Sequence, residues 1–146
     1  MVLPSIITFN VRGLRNPVKR KETFTFLKSH RCNIAMLQET HSADERETQQ
    51  WSKEWGEGQC FWNSYNSRSR GTALLLRGDW KVIEQKNYHE GRTQIICLDI
   101  DNTDNTTILV NIYAPNGMKE RGEYFNLLLD TIKIYQGKYT ANDIVI

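Results

Sequence analysis

The chain has 146 residues, 39% hydrophobic and 25% charged, with four Trp, six Tyr and five Phe, which fits one globular domain and excludes disorder along its length. A net charge of +2 is too mild to imply nucleic acid on its own. Cys32, Cys60 and Cys97 are far apart, without CxxC or Cys/His metal spacing, and their odd count fits a reducing compartment better than a secreted disulfide scaffold.

Ser5–Val11 (SIITFNV) is apolar and β-branched and predicts a strand. Asn16 followed by Pro17 predicts a helix start, and the helix runs towards Ser29 with Val18, Phe24 and Leu27 inward. Asn33–Leu37 predicts a second strand, so the segment reads as a βαβ unit with a parallel pair. Ser42 as N-cap with Glu45 at capping-box spacing predicts a second helix, in which Trp51 and Trp55 share a core face and Gly56 is the stop.

Five strands follow: Gln59–Tyr65, Gly71–Arg77, Trp80–Lys86, Arg92–Ile100 and Thr106–Tyr113. Gly78-Asp79 predicts a tight turn pairing the second and third, and the polar run 101–105 predicts a hairpin between the last two. A helix from Lys119 to Tyr135 places Phe125, Leu128, Leu129 and Ile132 at helical spacing, and Gly122 weakens its start by about 1 kcal/mol relative to Ala. Ala141–Ile146 (ANDIVI) reads as the opening of a buried strand, which predicts that residues 1–146 are one domain truncated on its C-terminal side.

Charge is distributed in blocks. Arg12, Arg15, Lys19, Arg20, Lys21, Lys28 and Arg31 are followed by an acidic stretch with Asp44, Glu45, Glu47, Glu54 and Glu57. The blocks read either as two solvated helix faces or as a binding surface.

Asn10, Glu39 and Tyr113 each stand at or beside the end of an apolar strand. Strand ends are where α/β sheets bind ligands. A carboxylate there can hold a hard cation such as Mg²⁺, an amide can orient a water or carboxylate, and a phenol can donate to a phosphate oxygen. The same residues also read as a surface carboxylate, a turn former before Gly13 and a rim aromatic. His41, beside a helix start, reads as structural or exposed.

The ordered set ITFNVRGL, IAMLQETH, GTALLL and ILVNIYAPN resembles the endonuclease/exonuclease/phosphatase superfamily over essentially the whole chain. FNVRGL, LQETH and NIYAPN are most similar to the apurinic/apyrimidinic-type endonuclease domain of a non-LTR (LINE-type) retrotransposon. The resemblance implies the N-terminal part of a four-layer α/β sandwich, with two mixed, largely antiparallel sheets flanked by helices. It implies Asn10 and Glu39 at a Mg²⁺ site (Mn²⁺ also acceptable), Tyr113 at the scissile phosphate, and Arg12, Arg15 and Asn116 as phosphate or DNA contacts. The family's later Gly-Asp-Phe-Asn and Ser-Asp-His motifs are absent from these residues, which implies little or no nicking by this chain alone. DNA is the expected partner, with a reverse transcriptase domain downstream in the same polyprotein. A phosphatase or phosphodiesterase of the same superfamily and a non-catalytic binding module remain the alternatives. MVLPSIITFNV has no signal-peptide character, and the parent is expected to be intracellular and nuclear.

Overall fold

In a computed structural model, which describes residues 4–139 and 143–146, the elements run β1 (Ile6–Asn10), α1 (Pro17–Ser29), β2 (Ile34–Gln38), α2 (Glu45–Trp55), β3 (Cys60–Asn63), β4 (Thr72–Leu76), β5 (Lys81–Tyr88), β6 (Thr93–Asp99), β7 (Thr106–Ile112), α3 (Met118–Lys138) and β8 (Asp143–Val145). They form two four-stranded sheets, ordered β1-β2-β4-β3 and β5-β6-β7-β8. Each sheet is mixed. β1 and β2 are parallel, as are β7 and β8, and the other pairs are antiparallel.

Side-chain alternation sorts the apolar residues into three layers. Ala35, Leu37, Ala73 and Leu75 face Phe24 and Leu27 of α1 and Trp51 and Trp55 of α2. Ile34, Met36, Leu74 and Leu76 face Ile96, Leu98 and Leu109 of the other sheet. Ile95, Cys97, Ile108 and Val110 face Tyr124, Leu128, Ile132 and Tyr135 of α3. The order is therefore helices, sheet, sheet, helix: the four-layer α/β sandwich.

The layer between the sheets changes character along its length. Along β2 it passes from Ile34 and Met36 to Gln38, along β4 from Leu76 and Leu74 to Thr72, and along β6 from Leu98 and Ile96 to Gln94. On β7 it passes from Leu109 to Asn111. Asn111 is fully buried. Its Nδ2 donates to Leu37 O (3.0 Å) and Ala73 O (3.1 Å) across the sheet gap and to Gln94 Oε1 (3.3 Å), and its Oδ1 accepts from Gln38 Nε2 (2.8 Å). Gln94 Nε2 in turn donates to Phe61 O (2.8 Å). Thr72 Oγ1 is the buried side-chain oxygen without a partner among the described residues.

Several local expectations need correction. Gly78-Asp79 does not close a hairpin: β4 pairs with β2 and β3, whereas β5 pairs with β6 in the other sheet. The turn is a crossover between layers. The N-cap of α2 is Asp44, whose side chain accepts from Glu47 N (2.9 Å), while Glu47 Oε2 accepts from Ala43 N (2.9 Å). Ser42 is buried, bonded instead to Thr40 and Ser64. Val18, Phe125 and Leu129 are exposed, and Tyr124 and Tyr135 take the inward positions on α3. β8 forms a parallel edge rather than a buried strand, with Val145 and Ile146 exposed; Ala141 and Asn142 lie outside the described residues. Asn16 does cap α1, accepting from Val18 N and Lys19 N, and Gly56 ends α2 at φ +63°.

The two charge blocks face each other. Arg15 pairs with Glu47 (2.5 Å), Arg20 with Glu54 (2.5 Å) and Lys28 with Glu57 (3.9 Å). Arg20 is buried; its guanidinium also donates to Leu14 O (2.9 Å) and Arg15 O (3.2 Å), tying the loop after β1 to α2.

Asn111→Leu keeps the branched shape but leaves Gln38 and Gln94 short of partners. It is expected to lower stability by about 2–3 kcal/mol, read as a lower denaturant midpoint with an unchanged slope.

Candidate active site

β1 and β2 run parallel with Asn10 opposite Gln38, so both chains leave the first sheet at the same rim. The Asn111 side chain of β7 spans the gap between the sheets, and its bonds to Leu37 and Ala73 place the residues after β7 over the end of β2. Glu39 leaves β2 at φ +56°, with Arg12 (φ +50°) and His41 (φ +56°) beside it also left-handed. Such conformers cost roughly 1–3 kcal/mol each in residues with a Cβ and persist only where surrounding contacts impose them.

Those contacts are backbone hydrogen bonds. Val11 N donates to Gln38 O (2.9 Å), Gly13 N to Glu39 O (2.6 Å) and Leu14 N to Thr40 O (3.0 Å). Thr40 N and His41 N donate to Gly71 O and Arg70 O, both at 3.0 Å. Gly71 is at φ +91°, and a Cβ there would stand 2.3 Å from Thr40 Oγ1. A side chain would push these loops apart, which explains the glycine.

Asn10 Nδ2 donates to Glu39 Oε1 (3.2 Å), and Asn10 Oδ1 accepts from Arg12 N (3.1 Å). The Tyr113 hydroxyl faces the same carboxylate from the second sheet. Partial burial pushes the Glu39 carboxyl up. The hydrogen bonds from Asn10 and Tyr113, with the positive charge of His41 and Arg12, outweigh this and hold it below its ordinary range. Burial and the neighbouring Glu39 raise the Tyr113 phenol, against the charges of Arg92 and Arg70. The result is an ionised carboxylate beside a phenol that stays protonated at neutral pH.

The structure brings Asn10, Glu39 and Tyr113 together and places exposed Arg12 next to them. Arg15 turns away to pair with Glu47, its side chain 45% exposed. Asn116 is exposed in the loop leading to α3. Sequence reasoning passed over the amides Gln38 and Asn111 beneath the site, although each interrupts an apolar run and could have been read from that. It also passed over Arg92, which donates to Tyr113 O (3.1 Å) and lies over the Tyr113 ring at 5.3 Å. No local pattern marks Arg92. Among the described residues no group of three or more His, Cys, Asp or Glu side chains gathers as a metal cluster, so any cation here would rest on a sparse oxygen set.

Comparison with known proteins agrees with this architecture. A 149 kDa protein of transposon TX1 from Xenopus laevis is 32% identical over 126 residues, covering 85% of this chain and 9% of that protein. Truncated TDP2 from Caenorhabditis elegans superposes with a TM-score of 0.68 at 17% identity, covering 92% of this chain and 57% of that one. D. rerio TDP2 complexed with a single strand DNA product superposes with a TM-score of 0.64 at 19% identity, covering 89% and 54%. The chain thus spans little more than half of these solved chains and a small part of the transposon protein. The profile of the Endonuclease/Exonuclease/phosphatase family matches residues 7–139, and the chain belongs to that family.

Proposed function

We propose that this chain carries the metal-binding and phosphate-facing part of a Mg²⁺-dependent DNA endonuclease, the nicking domain of a LINE-type retrotransposon polyprotein that acts in the nucleus and has a reverse transcriptase downstream. The observation that carries this reading is the meeting of Asn10, Glu39 and Tyr113 from three strands of two sheets, with Glu39 held ionised. The TX1 relative is a transposon protein, and one structural neighbour holds a DNA product, which supports the reading.

The donor set fits a hard cation. Mg²⁺ takes oxygen ligands, often from one or two carboxylates, and keeps several waters, and Mn²⁺ accepts the same donors. Glu39 supplies the carboxylate, and Asn10 orients it through the Nδ2 bond. When bound, the metal would supply Lewis-acid polarisation of a phosphoryl oxygen. Tyr113, kept protonated, turns its single O–H from the Glu39 carboxylate to a phosphate oxygen at the same rim once the metal engages Glu39. Arg12, beside Glu39, adds positive charge that favours a phosphate backbone. Arg15 and Asn116 contact DNA further along the rim. The 146 residues contain no Gly-Asp-Phe-Asn or Ser-Asp-His segment, so no group for activating the attacking water is assigned among them.

Incubated with supercoiled plasmid and Mg²⁺, this chain alone is expected to nick no faster than its Glu39→Ala variant. Robust nicking that Glu39→Ala abolishes would sink that expectation. In the longer parent, Asn10→Ala is expected to lower metal affinity or activity about 10–100-fold, as removal of a ligand-orienting partner does; an unchanged Mg²⁺ titration curve would contradict the role given to Asn10.

The pH dependence follows from the depressed Glu39 carboxyl. Its favourable interactions are fully present above the ordinary carboxylate range and are lost as pH falls through the lower folded value. In an NMR titration, the Glu39 carboxyl of Asn10→Ala is expected to titrate at higher pH than that of the unsubstituted chain. Coincident curves would refute the assignment of the shift to Asn10.

A further inference from the structure

Asn63 ends β3 and is buried, and its amide reaches the turn between β5 and β6 in the other sheet. Its Nδ2 donates to Tyr88 O (3.2 Å) and Thr93 O (2.9 Å), and its Oδ1 accepts from Gly91 N (3.3 Å). One side chain thus holds both ends of the turn and its middle. Asn111 sends an amide from the second sheet into the first. Asn63 sends one the opposite way, at the level where Thr72 pairs with Gln38.

The turn needs such a hold. His89, Glu90 and Gly91 are left-handed in succession, at φ 56°, 48° and 80°. Glycine takes that conformation freely, but His89 and Glu90 carry a Cβ and adopt it only where their surroundings impose it. On the face towards α3, His89 Nδ1 lies 2.9 Å from Thr93 Oγ1, which lies 2.6 Å from the Tyr124 hydroxyl. On the face towards the first sheet the hold is Asn63. Its groups match the turn: two carbonyls and one N–H meet two amide donors and one amide acceptor. An aspartate there would set a carboxylate against both carbonyls.

From the turn the path to the candidate site is short. β7 ends at Ile112, paired with Thr93, and Tyr113 stands one residue further on. Tyr113 N donates to Arg92 O (2.8 Å), and Arg92 Nη1 donates to Tyr113 O (3.1 Å). On the other side, Gly91 O accepts from Gly71 N (3.1 Å), and Gly71 O accepts from Thr40 N (3.0 Å), the residue after Glu39. Residues 91–93 therefore connect by backbone to Tyr113 and, through Gly71, to the segment that carries Glu39.

We propose that Asn63 is a positioning residue: it holds the strained turn against the first sheet, and through Arg92 it fixes where the Tyr113 hydroxyl stands relative to Glu39. This rests on the reading of Asn10, Glu39 and Tyr113 as a metal and phosphate site. Asn63 itself touches neither the metal site nor a substrate. Without it, the turn relaxes away from its left-handed conformation and Tyr113 loses its register with the carboxylate.

The test is NMR of the chain with labelled tyrosine rings, with Mn²⁺ as a paramagnetic probe and the Tyr113 signal assigned from Tyr113→Phe. Broadening by Mn²⁺ falls steeply with distance, so it reports geometry rather than stability. In the unsubstituted chain, Mn²⁺ is expected to broaden both the Asn10 side-chain amide and the Tyr113 ring. In Asn63→Ala, Asn10 stays broadened and Tyr113 loses most of its broadening. Leu98→Ala, which opens a cavity at the far end of the layer between the sheets, keeps both signals broadened. Equal broadening of Tyr113 in a folded Asn63→Ala overturns the positioning role and leaves the nuclease reading intact. Loss of the Tyr113 broadening in Leu98→Ala as well overturns it too, since general loosening then suffices. Mn²⁺ that broadens neither signal in the unsubstituted chain overturns the metal reading and this proposal with it. Hydrogen exchange needs no variant: the Gly91 amide, whose partner is the Asn63 side chain, is expected to exchange as slowly as the amides of β6. Exchange at the rate of an open turn overturns the proposal even where Asn63→Ala does not fold.

Discussion

The amide of Asn111 fixes how the two sheets meet. A sandwich held only by Ile34, Met36, Leu74, Leu76, Ile96, Leu98 and Leu109 would have an apolar interface with many acceptable offsets, because apolar contact is non-directional. Asn111 removes that freedom. It sits fully buried on the second sheet and donates to two carbonyls, Leu37 and Ala73, that face each other in the first. Gln38 closes the contact from the other side. A slide of the sheets would leave these groups unpaired in a buried layer, a penalty of roughly 1–3 kcal/mol per group. The position of Tyr113 relative to Glu39 is a consequence, since each lies within two residues of a member of this network.

Much of the fold was legible in the sequence because its signals are local. Asn16-Pro17 caps α1, Trp51 and Trp55 share a face, and the polar run 101–105 joins a true hairpin. What was not legible depended on distant partners. Gly78-Asp79 carries the same turn chemistry whether its flanking strands pair or part, and only competition for β2 and β6 decides that they part. Ser42 has the chemistry of a cap, yet Thr40 and Ser64 claim its hydroxyl, and Asp44 takes the cap instead. Phe125 and Leu129 have the right spacing for a core face, but the sheet meets the adjoining stripe of Tyr124, Leu128, Ile132 and Tyr135. At the candidate site, Asn10, Glu39 and Tyr113 were readable as polar ends of apolar runs. Arg70 and Arg92 were not, because what sets them apart is each other.

Charge follows the same division between local pattern and tertiary outcome. The basic N-terminal block looked like a uniform surface, but Glu47 and Glu54 of α2 and Glu57 just after it answer part of it. Arg20 becomes a structural residue, anchoring the loop after β1 by two carbonyls and a carboxylate. The loop it anchors leads back to Arg12, whose charge helps depress the Glu39 carboxyl. These ion pairs thus consume basic charge on the helical layer, while Arg12 stays beside Glu39.

The mixed topology of the sheets explains why that rim holds two kinds of residue. In an all-parallel sheet only the residues following strands would gather there. Here β1, β2 and β7 end at the rim and contribute Asn10, Glu39 and Tyr113. The antiparallel β4 and β6 begin there, and the residues preceding them include Arg70 and Arg92. Anionic and phenolic groups therefore arrive from strand ends, and guanidinium groups arrive from strand starts. They interleave without competing for the same backbone positions. Gly71 and Gly91 let the incoming loops approach closely enough for the two sets to touch through the Tyr113 ring. One strand order thereby supplies both an ionised carboxylate and the positive surroundings in which a phosphate can approach it.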